Sequence, residues 1–218
     1  QAQPRSHDGR VEDAQMGIPK TIEAFFQAAE KGDVKAQWNV AVMHANGHGE
    51  VEKDAQKAAM WFLKAAAQGF APAQASLGLM YAIGNGVEKN ASKAIVFLQQ
   101  AAVLGDMEAQ YNLAVMLEQG LDGEPNLAEA LMWFSKAAEQ GLTSAQEKLG
   151  IMNAVGQSVK QDFIEAYKWF YIASHGRKNT AKENLARCLE LLDAQQVSEA
   201  QARAELWLQD HVGSHAIR

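Results

Sequence analysis

An all-α protein made of repeated helical pairs is the fold this sequence predicts, on three observations. The first is composition: 39 of 218 residues are alanine and only 4 are proline, a bias towards helix. The second is self-similarity. Ala-Gln occurs at Ala36-Gln37, Ala73-Gln74, Ala109-Gln110 and Ala145-Gln146, with Ala181-Lys182 following, at steps of 37, 36, 36 and 36 residues. The third is an aromatic in the same frame, Trp61, Phe97, Trp133 and Trp169, each 36 residues after the last. Small pairs (Ala65-Ala66, Ala101-Ala102, Ala137-Ala138) lie four residues behind it, followed by Gly69, Gly105 and Gly141.

In chain order, residues 1–18 are polar and aperiodic, which predicts a mobile extension. Residues 19–31, opened by Pro19, match the tail of a second helix through Phe25, Phe26, Ala28, Ala29 and Gly32. Units then start near 36, 73, 109, 145 and 181, within one domain over 19–212 and ahead of a tail at 213–218. In the unit at 73, Ala73, Leu77, Met80 and Tyr81 follow the spacing of a buried helical face, and Gly84-Asn85-Gly86 stops that helix. Its partner carries Ala91, Ala94, Ile95, Phe97, Leu98, Ala101 and Ala102; Gly105 ends it, and Asp106 is placed to cap the next helix. Pro72 sits beside a helix start and Pro125 in a loop, so neither interrupts a helix interior. The last unit loosens into Leu185, Cys188, Leu189, Leu191 and Leu192, before a closing helix near 196–210.

The run from Ala73 to Val87, continuing to Ala94, Ala101-Ala102 and Gly105, resembles the Sel-1-like repeat (SLR), a relative of the tetratricopeptide repeat with a longer inter-helix loop. The resemblance covers about residues 19–190. It implies an α/α solenoid (superhelix) of about four complete units plus terminal capping helices, and an adaptor that holds proteins or peptides without transforming them. Two departures bear on local shape. The loop Gly47-His48-Gly49-Glu50-Val51 carries an extra residue, and the loops of the third and fourth units lack the second glycine, with Asp122 and Gly123 or Ser158 and Val159 in its place. The penicillin-binding activity of the disulfide-rich branch does not carry over, because Cys188 is the single cysteine.

The aromatic ladder reads as packing between adjacent units. A second row, Asn39, Ser76, Asn112, Lys148 and Asn184, is polar throughout, and its short members are poor helix formers, so it needs a cause. One is a hydrogen bond to the neighbouring unit's backbone or to a loop. The other comes from the resemblance: in peptide-binding tetratricopeptide proteins the asparagine of this register lines the concave groove. On that second reading Trp38, Val42, Ala75, Leu79, Tyr111, Val115, Glu147 and Ile151 face the groove as well. Trp38 and Tyr111 tip the balance towards binding, because such rings give large contact area at low entropy cost.

Catalysis, cofactors and metals find no support. His44 with His48, and His211 with His215, have ligand spacing, but Gly47 and Gly213 interrupt the helices a zinc pair would need, so exposed histidines are expected. Gly84-x-Gly86 follows a helix and not a strand, which makes it a turn and not a phosphate loop. Cys188, beside Leu185 and Leu189, reads as a buried inert thiol. With 20 Lys+Arg against 26 Asp+Glu the net charge is −6, against nucleic-acid binding, and no apolar run approaches the ~20 residues a membrane span takes. A monomer that engages a protein or peptide partner is expected. The chain begins at Gln1 instead of methionine, which suits removal of a secretory signal and a periplasmic or secreted setting in a bacterial envelope complex; the cytoplasm is the alternative. A glycan-handling protein is the alternative function. Its hydrolytic form needs two carboxylates about 5–10 Å apart, for which Glu118 and Glu147 are the candidates.

Overall fold

The second helices all begin in one way. Asp54, Asn90, Asn126 and Asp162 stand 36 residues apart, and each side chain accepts a hydrogen bond from a backbone N–H of the first turn that follows. The backbone N–H of the same four residues donates back to the carbonyls of His44, Tyr81, Leu117 and Asn153, at 2.8–2.9 Å. A short, acceptor-bearing Asp or Asn thus caps its own helix while its main chain ties that helix to its partner. For Asp54 the N–H of Lys57 holds the carboxyl below its ordinary range.

The computed structural model describes residues 21–176 and 180–215. Pro19, with the polar segment before it, and 216–218 in the predicted tail lie outside the described residues, as does the side chain of His215. Within them the secondary structure is helical: α1 Ile22–Glu30, α2 Val34–Asn46, α3 Ala55–Ala67, α4 Ala71–Ile83, α5 Ala91–Val103, α6 Met107–Gln119, α7 Leu127–Glu139, α8 Thr143–Val155, α9 Phe163–Ser174, α10 Thr180–Leu189 and α11 Ala194–His215. The chain divides into two compact units, the first ending at Phe97 and the second starting at Leu98.

In the first unit α2 pairs with α3, and α3 packs on α4. Its core joins Ala58, Phe62, Ala65 and Ala66 of α3 to Ala41 of α2 and to Ala73, Leu77 and Met80 of α4. Alanine at these seams lets helix axes approach while the larger side chains fill what is left. A smaller cluster seats α1 on α2 through Ala29, Ala36 and Val40, with Phe25, Phe26 and Trp61 against it. The extra loop residue noted above is absorbed between His48 and Val51, whose main chains exchange both hydrogen bonds.

In the second unit α6 pairs with α7 and α8 with α9, and α7 packs on α8. Phe134, Leu113 and Met152 are enclosed, each contributing roughly 2–3 kcal/mol through burial. At Gly150 a Cβ would lie 2.5 Å from the Phe170 ring, so α8 and α9 meet closer than any larger residue allows. Both α10 and α11 pack on α9, around Cys188 and Ala200. Trp207 of α11 donates its Nε1 to Glu139 at 2.8 Å and meets Trp169 edge-on, which seats the closing helix.

The fourth inter-helix loop keeps the left-handed bend of the second despite losing its glycine. Gly86 has φ +72°, and Ser158, in the same register, has φ 64°. The ladder residues pack as the sequence predicts: Trp133 and Trp169 are buried, while Trp61 and Phe97 are half-buried against core clusters. Two expectations need correction. α11 runs on through Gly213 to His215, so that glycine does not interrupt the helix and the predicted tail starts later than 213. His44 is buried and not solvent-exposed, its ring edge-on to Phe26 and its Nδ1 3.5 Å from the Glu52 carbonyl.

Candidate binding surface

The face predicted to bind comes from the first helix of each pair. Residues at i, i+1 and i+4 lie on one side of a helix, so each such helix shows its polar-row residue together with an aliphatic one turn on.

In the first unit this gives Trp38, Asn39 and Val42 on α2, and Ser76 and Leu79 on α4. Trp38 and Val42 turn partly inward against the core cluster, and the Trp38 ring meets Phe70 edge-on at 6.1 Å. Its buried Nε1 has no hydrogen-bond partner among the described residues. Asn39 is half-buried. Ser76 donates its hydroxyl to the Pro72 carbonyl, four residues back on its own helix, at 2.8 Å. Leu79 is 40% exposed, and Ile83, one turn on, is 71% exposed.

The second unit carries Tyr111, Asn112 and Val115 on α6, and Glu147, Lys148 and Ile151 on α8. Tyr111 packs edge-on to Phe134 at 5.5 Å, and the Nζ of Lys148 lies 5.6 Å from the centre of the same ring. Burial pushes the Tyr111 hydroxyl above its ordinary value, and the charges of Glu118, Glu147 and Glu108 add to the effect. Lys148 Nζ lies 2.7 Å from Glu118, which also accepts from Gln157 Nε2 at 3.1 Å. Glu118 is therefore engaged twice. Asn112 donates to the Glu108 carbonyl at 2.8 Å. Val115 and Glu147 are half-buried, whereas Ile151 is 41% and Val155 63% exposed.

Of the polar row, Ser76 and Asn112 hydrogen-bond to carbonyls of their own helices and not to a neighbouring unit or a loop. The sequence reading also took the Trp38 and Tyr111 rings as the outward anchors, yet both are half-buried against aromatic neighbours. Exposure falls on the aliphatic pairs Leu79/Ile83 and Ile151/Val155, of which Ile83 and Val155 were missed. Their signal was present: each lies one helical turn beyond a residue already singled out.

Also missed was a cavity of about 300 Å³ in the second unit, among α8, α9 and α10, which Ile151 and Val155 help to line. Only packing reveals it. Among the described residues no three His, Cys, Asp or Glu side chains are placed to hold a metal ion together, and no helix is long and apolar enough to cross a membrane.

No curated protein matches this chain at a significant level. Solved structures similar over most of it include two at 30% identity or more. One is c5321, a protective antigen present in uropathogenic Escherichia coli strains and displaying an SLR fold; it is 32% identical, with a TM-score of 0.79 over 90% of this chain and 43% of its own. The chain thus spans less than half the length of that protein. The other is a Sel1 repeat protein from Oxalobacter formigenes, 30% identical, with a TM-score of 0.71 over 88% of this chain and 76% of its own. A family model of the Sel1 repeat matches residues 34–70, 71–106, 108–142 and 143–176. Each match opens with a first helix (α2, α4, α6 or α8) and closes at or beyond the end of the second. With four such matches and a helical pair in each, the chain belongs to the Sel1 repeat family of α/α solenoids, whose members generally serve as non-catalytic scaffolds for protein interaction.

Proposed function

We propose that this protein is a non-catalytic adaptor that holds a protein or peptide segment against the face of its first helices, in a bacterial envelope signalling or assembly complex. The observation that carries this reading is the exposure of Leu79 with Ile83 on α4, repeated by Ile151 with Val155 on α8. An aliphatic pair one turn apart costs solubility when left in water, and its return two repeats later fits a surface that a partner covers. Tyr111, Asn112, Lys148 and Glu147 flank the second pair with polar groups, as the rim of an interface does. Trp38, Asn39, Val42 and Ser76 belong to the same reading as the first-helix residues of the first unit. The periplasm or a secreted location is the setting we assign, with c5321, described as a protective antigen, as the similar protein that favours it.

Because Trp38 and Tyr111 also pack inside their units, truncating them confounds binding with stability. The exposed residues are the better probes. Leu79→Asp with Ile151→Asp, in one chain, is expected to release the partners that the wild-type chain retains from a lysate of its source, while the helical circular dichroism stays unchanged. Retention of the same partners by that variant refutes the face. Fractionation of cells that express the complete gene product tests the location.

A further inference from the structure

The cavity in the second unit exists because the last helical pair departs from its own repeat. Cys188 stands in the register of Met80, Met116 and Met152, all buried. Those long thioethers fill the seam between helices, whereas the short thiol stops early and leaves room above Phe163 and Phe170 of α9. At the same slot Arg187 takes the register of Leu79, Val115 and Ile151, so a guanidinium replaces an aliphatic group. Arg187 is exposed and Asn184 half-buried, and neither side chain makes a hydrogen bond or ion pair among the described residues. The result is an apolar slot with one free cation and one free amide in its lining.

Resting on the adaptor reading above, we propose that this slot seats a bulky apolar side chain of an extended partner segment, while Arg187 and Asn184 hold the carboxylate of an acidic residue directly after it. Charge complementarity selects the acidic residue. A guanidinium offers a fork of donors that matches a carboxylate with two parallel hydrogen bonds, and the Asn184 amide adds a third donor. The volume of about 300 Å³ has room for one large side chain from the partner. Ile151 and Val155 line the slot and belong to the exposed face, so a segment lying across that face reaches it without leaving the surface.

The test is an amide-shift titration of the whole ¹⁵N-labelled chain with a peptide blocked at both ends, acetyl-Ser-Gly-Phe-Glu-Gly-Ser-amide. Shifts are expected at Asn184, Arg187 and Leu191, with a dissociation constant on the order of 0.1–1 mM. Replacing the peptide's Glu by Gln, or Arg187→Glu in the protein, is expected to weaken binding about tenfold, and a Phe-Lys peptide should bind the Arg187→Glu chain better than it binds wild type. Cys188→Met restores the repeat's own residue, so it should fill the slot and weaken binding about tenfold while the melting temperature holds or rises. Equal binding of the Glu and Gln peptides overturns the proposal, as does undiminished binding by Cys188→Met. Tighter binding of an uncapped peptide ending in Phe overturns the side-chain carboxylate in favour of a chain end. Peptide shifts confined to the Leu79 and Ile83 region overturn the slot and leave the adaptor reading standing. Absence of binding at millimolar peptide also overturns the slot, and the Leu79→Asp/Ile151→Asp experiment then judges the adaptor reading by itself.

Discussion

The side-chain amide of Gln110 donates to the carbonyl of Ala102 at 3.0 Å, and this one bond explains why Ala-Gln marks the repeat. Ala102 lies in the last turn of the preceding helix, where carbonyls lack an intrahelical partner. Its oxygen also accepts the Gly105 N–H at 3.1 Å, so both lone pairs are used. Gln37, Gln74 and Gln146 make the same bond to Ala29, Ala66 and Ala138. The alanine before each glutamine is fully enclosed at the seam, which leaves no room for a larger side chain.

Glutamines of this row are not equally satisfied, which gives the first prediction. The Oε1 of Gln110 accepts from Gln140 at 2.8 Å, whereas the Oε1 of Gln74 has no partner among the described residues. The register that holds Gln68 and Gln140 is filled by Leu104 in the repeat between them, a side chain with no donor. Gln110→Ala is expected to cost about 2 kcal/mol and Gln74→Ala about 1 kcal/mol less. Urea midpoints of the two variants check the order, and equal shifts contradict it.

Loop substitutions should act with opposite signs. At Gly86 an added Cβ would lie 2.2 Å from the Ala55 carbonyl oxygen, and the backbone is already left-handed. Gly86→Ser should therefore cost more than ~2 kcal/mol. Ser158 holds the same bend with a side chain, so Ser158→Gly should raise stability by about 0.5–1 kcal/mol. Thermal unfolding followed at 222 nm measures both.

Helix capping offers a cleaner test because it moves no core atom. Asp106 accepts from the Ala109 N–H at 2.8 Å. Asp106→Ala is expected to lower stability by about 1 kcal/mol, and Asp106→Asn by only a few tenths. A guanidinium titration of the three chains decides whether the side-chain oxygen, and not its charge, is what matters.

Alkaline solution should weaken the fold. Burial pushes the Cys188 thiol above its ordinary value, and burial with neighbouring carboxylates does the same for the Tyr111 hydroxyl. Both groups release their protons more readily in the unfolded chain. Stability is thus complete below the unfolded values and declines as pH rises through about 8.5 for the thiol and 10 for the phenol. The thiol of the native chain at pH 8 should react with iodoacetamide at least ~10-fold more slowly than in urea. A rate equal to that of the unfolded chain shows Cys188 to be open.

Local physics was legible in the sequence and tertiary geometry was not. Helix order, the repeat of about 36 residues and the cap at Asp106 could be read off because each depends on residues within one or two turns of each other. The caps at Asp54, Asn90, Asn126 and Asp162 follow the same local rule, since each acceptor lies within one turn of the N–H it binds. Other features form only when distant residues meet. The direction of the Trp38 and Tyr111 rings depends on Phe70 and Phe134, the burial of His44 on Phe26, and the engagement of Glu118 on Lys148 and Gln157. The cavity beside Arg187 is the extreme case: the sequence showed Cys188 on an apolar helix side, but the space left by a shorter side chain belongs to its neighbours across the seam, and only packing reveals whether they close it.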